Sequence, residues 1–328
     1  MSTVVRIVAA GAAALAATGA AWQAVAARRD RRRFPPPGRM VAVGGHRLHL
    51  QVTGAQTAAP TIVLEAGMAS MSANWAWVQQ ELGPEFRVVS YDRAGLGWSE
   101  PGTGHLDAGS SAAELHTALA AAGCRPPYVL AGHSYGGLVV RAFADRHAGE
   151  VAGLVLVDAS HQGQWTHIPA SRGGLTVAWA NRLTAALAFV GLLRLFRPER
   201  PYIEGLPALQ YAEMRAYLAR PDGWLVGAAG LLAWGRQSGA QIDAARDLGD
   251  LPLIVLSVTE QTRYGDVLTR LQRELVSLST NSRHVTVAGA THYTLVSDKT
   301  YADVVTDAVR EVARRELRPF AGPLISPG

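Results

Sequence analysis

Leu130-Ala131-Gly132-His133-Ser134-Tyr135-Gly136-Gly137 decides how the chain is read. An apolar run over residues 127–130 leads into this stretch, and a helix-like run over 138–146 leads out of it. A buried strand, a sharp turn bearing a serine and then a helix form the context of a nucleophile elbow, which lifts the serine hydroxyl clear of the sheet. Gly132 and Gly136 flank Ser134 because so tight a turn leaves no room for a Cβ beside it. The bare motif is weak in a chain with 34 glycines. A strand before it and a helix after it make it specific.

Outward from the elbow the pattern is regular. Upstream, residues 40–43 and 46–53 alternate in polarity around Gly44-Gly45, a two-residue hairpin signal. Residues 61–65 predict a strand, 74–82 a helix, 87–92 a strand and 111–122 a helix. Downstream, 151–158, 253–258 and 283–288 predict strands, with helices over 266–278 and 300–316 and a loose tail over 317–328. Two antiparallel strands followed by alternating strand and helix predict an α/β fold, an eight-stranded and mostly parallel sheet covered by helices on both faces.

One segment breaks the alternation. Between Asp158 and Leu253 no strand is evident, and helix-like runs over 175–196, 206–218 and 224–237 predict a helical cap of about residues 161–249 inserted after the sixth strand. The first run carries only Arg182 and Arg194 as charges. Such a run either packs down onto the domain or touches lipid or an apolar substrate.

The N-terminal stretch is distinct from the domain over residues 40–316. Residues 7–27 are apolar, with Gln23 as the one interior amide, and Arg28-Arg29-Asp30-Arg31-Arg32-Arg33 follows. A helix of that length, at about 1.5 Å per residue, crosses a bilayer core of about 30 Å. Read as a transmembrane anchor over residues 1–33, the arginine cluster places the catalytic domain in the cytoplasm. Read as a secretory signal, Ala24-Val25-Ala26 offers cleavage near Ala26, but the positive region then lies on the wrong side. The charge rule favours the anchor, with residues 34–39, rich in proline, as a short stiff spacer.

Composition narrows the function. The chain has 328 residues, 48% of them hydrophobic, which suits one large α/β domain with an insertion. Residues 1–33 hold six arginines and one aspartate, which accounts for the whole net charge of +5. The remainder has no basic excess to neutralise phosphates, so a nucleic-acid partner is not expected. Cys124 is the single cysteine, which excludes an internal disulfide and a cysteine-based metal site.

Residues 40–316 resemble the α/β-hydrolase superfamily. Beyond the elbow, Tyr91-Asp92-Arg93-Ala94-Gly95-Leu96-Gly97-Trp98-Ser99 is similar to the family's glycine-rich loop after the fourth strand. Gly289-Ala290-Thr291-His292-Tyr293 is similar to its late histidine loop. The resemblance implies a serine hydrolase with Ser134 as nucleophile and His292 as base, since a serine hydroxyl needs a base to become nucleophilic. Family members acting on epoxides or haloalkanes place an aspartate where Ser134 stands, which disfavours those reactions. The third residue departs from the commonest pattern, because Leu256-Ser257-Val258-Thr259-Glu260-Gln261 has no aspartate at the usual place after the seventh strand. Asp158, ending the sixth strand, is preferred as the acid because it can reach the imidazole from a rigid strand end, and Glu260 is the alternative.

The oxyanion donors implied are the backbone N–H groups of Tyr135 and Met68. Glu65 stands where the family often has histidine, and is read as holding its loop by accepting backbone N–H groups, with acid–base work in reserve. Asp92 and Arg93 are read as an ion pair holding the glycine-rich loop. Trp75, Trp77 and Trp98 are read as core or as lining for an acyl pocket, and His133 as packing against the sheet. No cofactor or metal is expected. The expected substrate is a small carboxylic ester with an apolar or lipid-like part. A peptidase or amidase of the iminopeptidase kind, or a weakly catalytic ligand-binding protein, are the alternatives.

Overall fold

The computed structural model describes residues 2–102, 104, 106–168, 173–245, 247–259 and 265–315. Glu260 and the tail over 317–328 lie outside the described residues. In chain order the strands are β1 (Arg39–Ala42), β2 (Arg47–Thr53), β3 (Thr61–Glu65), β4 (Val88–Tyr91), β5 (Tyr128–His133), β6 (Val151–Val157), β7 (Leu253–Val258) and β8 (Ser282–Val287). They form one sheet in the order β1-β2-β4-β3-β5-β6-β7-β8. Pairing is antiparallel for β1–β2 and β2–β4 and parallel for the rest.

The strands form where β-branched and aliphatic residues can be covered on both sides. Every residue of β3 to β7 is buried, as a sheet with helices on both faces requires. Side chains alternate between the two faces. Along β5, Tyr128 and Leu130 enter one hydrophobic core, and Val129 and Ala131 enter the other. The first hairpin closes over Gly44 and Gly45, whose φ angles of 91° and 111° are open to glycine, with the Val43 N–H donating to the His46 carbonyl at 3.0 Å.

Helices cover both faces. Outside the insertion these are α2 (Ala76–Leu82), α3 (Ala108–Ala121), α4 (Gly136–Arg146), α12 (Gly265–Val276), α13 (Thr294–Ser297) and α14 (Lys299–Arg314). The expected helix over 74–82 begins instead as a 3-10 turn, Ser72–Trp75, that runs into α2. α14 buries Ala302, Val305, Val309 and Val312, the stripe that a 3.6-residue period lays against the sheet, and Asp298 caps it by accepting the Thr300 N–H.

The insertion between β6 and β7 is helical: α5 (Gln164–His167), α6 (Gly173–Phe189), α7 (Leu192–Phe196), α8 (Arg200–Ile203), α9 (Ala208–Leu218), α10 (Pro221–Ala233) and α11 (Gly239–Asp243). The single run expected over 175–196 is two helices, because Gly191 at φ 80° ends one and starts the other. A small third core, including Met71, Leu96, Ile203, Met214 and Tyr217, joins the insertion to the loops at the carboxyl ends of the strands.

The N-terminal helix α1 (Thr3–Arg33) is long and apolar enough to cross a membrane. It continues without a break through the arginine cluster to Arg33. Its last turns dock on the insertion. The buried Gln23 donates to the Ala219 carbonyl at 2.9 Å and accepts from Arg194 Nε at 2.6 Å, and Arg194 pairs with Asp30 at 2.7 Å. The proline-rich stretch that follows leads straight into β1.

Candidate active site

Ser134 lies between β5 and α4 with φ 54°. That left-handed conformation costs a non-glycine residue about 1–3 kcal/mol, and the surroundings must impose it. The Ser134 N–H donates to the Val157 carbonyl at 3.1 Å. The Ser134 carbonyl accepts from Gly137 N at 3.0 Å and Ser160 N at 2.9 Å. These bonds latch the turn to the end of β6. The two flanking glycines are there for space: a Cβ on Gly136 would sit 2.5 Å from the Glu65 carbonyl oxygen, and one on Gly132 would sit 2.7 Å from that of Gly136.

His292 stands in the loop between β8 and α13, and its Nδ1 is 2.5 Å from Oδ2 of Asp158. Asp158 follows β6 at φ 41°, is 9% exposed, and also accepts the Val258 N–H on Oδ1. A charged or polarised acceptor at that distance fixes Nδ1 as the protonated nitrogen and leaves Nε2 as the basic one. Ser134 and His292 line one cavity of about 240 Å³, together with Met68, Asn181, Trp224 and Tyr293. Asp158 supports it from behind.

His133 has a sharper role than packing on the sheet. Its Nε2–H donates to the His292 carbonyl at 2.8 Å, and the two rings lie 4.7 Å apart. It therefore ties the strand that carries Ser134 to the loop that carries His292. Burial, and then the neighbouring His292, push its pKa down to about 3. Folding thus binds His133 neutral, and the unfolded chain binds a proton there once the pH falls below the ordinary value of 6.5. The stabilising contribution is present above that value and is lost as pH falls from 6.5 toward 3. Relative to a His133→Gln variant, the protein is expected to lose about 2 kcal/mol between pH 7 and pH 5, read from urea unfolding at both values. Equal slopes in the two proteins would count against a neutral, buried His133.

Met68 follows β3 and lines the same cavity. A Cβ on its neighbour Gly67 would come within 3.3 Å of Ser134 Cβ, so the loop passes hard against the serine. Tyr135 precedes the first residue of α4, where helix N–H groups have no preceding carbonyl to bond. Its buried hydroxyl bonds with the Leu106 carbonyl and Ser238 Oγ at 3.1 Å each.

The ion pair expected between Asp92 and Arg93 does not form. Residues adjacent at a strand end point to different sides, and each finds another partner. Arg93 pairs with Glu65 and donates to the Ala66 and Gly67 carbonyls at 2.6 Å each. Tyr91 donates to the other Glu65 oxygen. Glu65 thus holds its loop through Arg93 and not by accepting backbone N–H groups. Burial lifts the Glu65 carboxyl above its usual range against the pull of Arg93 and Tyr91. Asp92 accepts from His49 Nδ1 at 3.0 Å, Ser72 N at 2.6 Å and Trp98 N at 3.0 Å, pinning the glycine-rich loop.

The tryptophans divide differently from expectation. Trp75 is core against His133, and neither Trp77 nor Trp98 lines the Ser134 cavity, whereas Trp224 of the insertion does. A larger cavity of about 430 Å³ lies between α1, the glycine-rich loop and α9, away from the serine. There burial pushes Glu213 up to about 7. His116, His147 and Glu150 gather at the far end of α4 from Ser134, beside the start of β6. The two rings stack at 3.8 Å and 7°, so their lone pairs run parallel and do not converge on an ion.

The family is decided by a match of the Alpha/beta hydrolase family model to residues 62–307. The chain belongs to the alpha/beta hydrolase family. Among solved structures, this hydrolase is similar to a thermophilic esterase from Thermogutta terrifontis, at 22% identity and a TM-score of 0.63 over 85% of this chain and 98% of that one. It is also similar to the epoxide hydrolase CorEH, at 20% identity and a TM-score of 0.66 over 84% and 98%. These likenesses establish the fold. Curated relatives of the hydrolase include the uncharacterized protein YqjL of Bacillus subtilis, 36% identical over 30% of this chain and 39% of that protein. Another is the putative carbamate hydrolase RutD of Escherichia coli O157:H7, 38% identical over 30% and 38%. The chain thus spans under half the length of these relatives.

Proposed function

We propose that this protein is a serine hydrolase that cleaves a carboxylic ester with an apolar or lipid-like part through an acyl-enzyme on Ser134. One observation carries the reading: a strained serine shares a cavity with His292, whose Nδ1 is held by Asp158. Ser134 Oγ attacks the ester carbonyl while His292 Nε2 takes its proton. The negative oxygen is received by the N–H groups of Met68 and Tyr135. His292 returns the proton to the leaving alcohol, and water, activated the same way, releases the acid and the free serine. Asp158 orients the ring and stabilises the imidazolium. A serine in this position disfavours epoxide opening, despite the fold shared with an epoxide hydrolase.

The insertion serves as the cap, supplying Val177, Tyr202, Met214, Leu218 and Leu231 as apolar lining over the serine. α1 is read as a membrane anchor with the domain on the cytoplasmic side, where its arginines lie. Cleavage near Ala26 is disfavoured, because it would cut the helix that Gln23 and Asp30 fasten to the cap.

A fluorophosphonate probe on membranes and soluble fractions tests both points. The expected result is labelling of the intact chain in alkali-washed membranes, abolished in Ser134→Ala. Folded protein that takes no label would sink the esterase reading, and a labelled, shortened chain in the soluble fraction would sink the anchor.

A further inference from the structure

α6 is a surface helix built inside out. Among its described residues those it buries are alanines, Ala178, Ala185 and Ala188. The residues it turns outward are large and apolar: Leu175 (52% exposed), Trp179 (65%), Leu183 (63%), Leu187 (37%) and Phe189 (60%). A helix designed to lie between a protein core and water has the reverse arrangement. The inward side packs on α10, where Gly227 leaves room for Asn181 and Ala228 shares a core with Ala178. Small residues facing small residues, with the bulky ones outside, is how helices pair where the surrounding solvent is hydrocarbon.

A second observation says what covers this face. α1 reaches the end of α6 and the turn that follows it, where Gly19 meets Val190 so closely that a Cβ has no room and the Trp22 ring lies against Gly191. The outward residues of α1 near this junction, Trp22 and Val25, are themselves exposed and apolar. Exposed apolar surface of α1 therefore adjoins the end of α6 that carries Leu187 and Phe189. Arg28, Arg29, Arg32 and Arg33 lie exposed on the next turns, placed for anionic headgroups. Arg182 lies over the Trp179 ring at 5.0 Å, an apolar stem with its charge at the edge of the face.

From these observations we infer that α6 rests in the surface of an anionic lipid bilayer, and that the cavity draws its ester from that bilayer. The geometry couples the two parts, since Val177 and Asn181 of the same helix line the cavity that holds Ser134. This inference rests on the esterase and anchor readings above, and its test separates failure of one from failure of the others.

The chain with α1 present is reconstituted into phosphatidylcholine–phosphatidylglycerol vesicles, with and without brominated acyl chains. Bromolipid is expected to quench a part of the tryptophan emission that disappears in Trp179→Phe. In parallel, Leu183→Glu and Phe189→Glu are expected to slow hydrolysis of a long-chain ester held in the vesicles by about tenfold. Both variants should hydrolyse p-nitrophenyl acetate in water at the rate of the unaltered protein. Identical quenching in Trp179→Phe would overturn the inference. So would copy-to-copy disulfides in Leu183→Cys with Trp179 shielded from bromolipid, since a second copy would then cover the face. Absent turnover of any ester, with Trp179 quenched, would fault the esterase reading and leave the docking of α6 standing.

Discussion

Replacing Asp158 with asparagine is expected to lower turnover of a p-nitrophenyl ester by about ten-thousandfold while leaving the fold intact. The carboxylate accepts from His292 Nδ1 at 2.5 Å and from the Val258 N–H. An asparagine of the same shape turns an N–H toward Nδ1, so the ring is held in the tautomer whose Nε2 carries the proton and cannot act as base. It also leaves the imidazolium without a counter-charge. Activity and thermal unfolding of Asp158→Asn, measured beside Glu260→Gln, check this. The second variant should keep its activity. Full activity in Asp158→Asn would reject the assignment of the acid, and a collapse in Glu260→Gln would transfer it.

Arg93→Met is expected to destabilise the protein by about 3–5 kcal/mol, enough to lower Tm by about 10 °C. Arg93 and Glu65 are 8% and 1% exposed, and the pair has no water to fall back on. Removing the cation strands a carboxylate in the core and takes the donors from the Ala66 and Gly67 carbonyls. The double variant Glu65→Met, Arg93→Met should recover most of the stability, because it leaves no buried charge behind. It should not recover activity to the same extent, since the loop bearing Met68 would still lack its clamp. Calorimetry and ester turnover on the three proteins separate the two effects. A single variant as stable as the parent would show that the pair contributes little.

The sequence made the elbow legible because its signal is local. Glycines on both sides of Ser134, a strand before and a helix after are features of neighbouring residues, and His292 lies in an equally short pattern. The contact of Asp158 with His292 was reachable for a similar reason, since Asp158 comes directly after a strongly apolar strand. Partner choice among buried charges was not legible. Arg93 sits beside Asp92 in the chain, yet its carboxylate comes from β3 and that of His49 comes from β4's loop, a pairing that only the strand order brings about. The lining tryptophan failed for the same reason, since Trp224 is far in sequence from the loops it meets. For α6, residues 175–196 are apolar all round, so nothing in their spacing distinguishes a face of alanines turned inward from a face of large residues turned out. Gly191 did carry a signal, a glycine inside a helical run, and it marks the break between α6 and α7.

One consequence follows from the way α1 ends. The helix runs as a single rod through Arg33 and is clamped to the cap by Gln23, Asp30 and Arg194. A hydrolase fastened by such a rod has no slack in its mooring. With α1 held in a membrane as proposed, it would keep one height and one heading at that surface. Its encounters with a substrate held in the same membrane would then be two-dimensional, governed by diffusion along the plane and not by concentration in water.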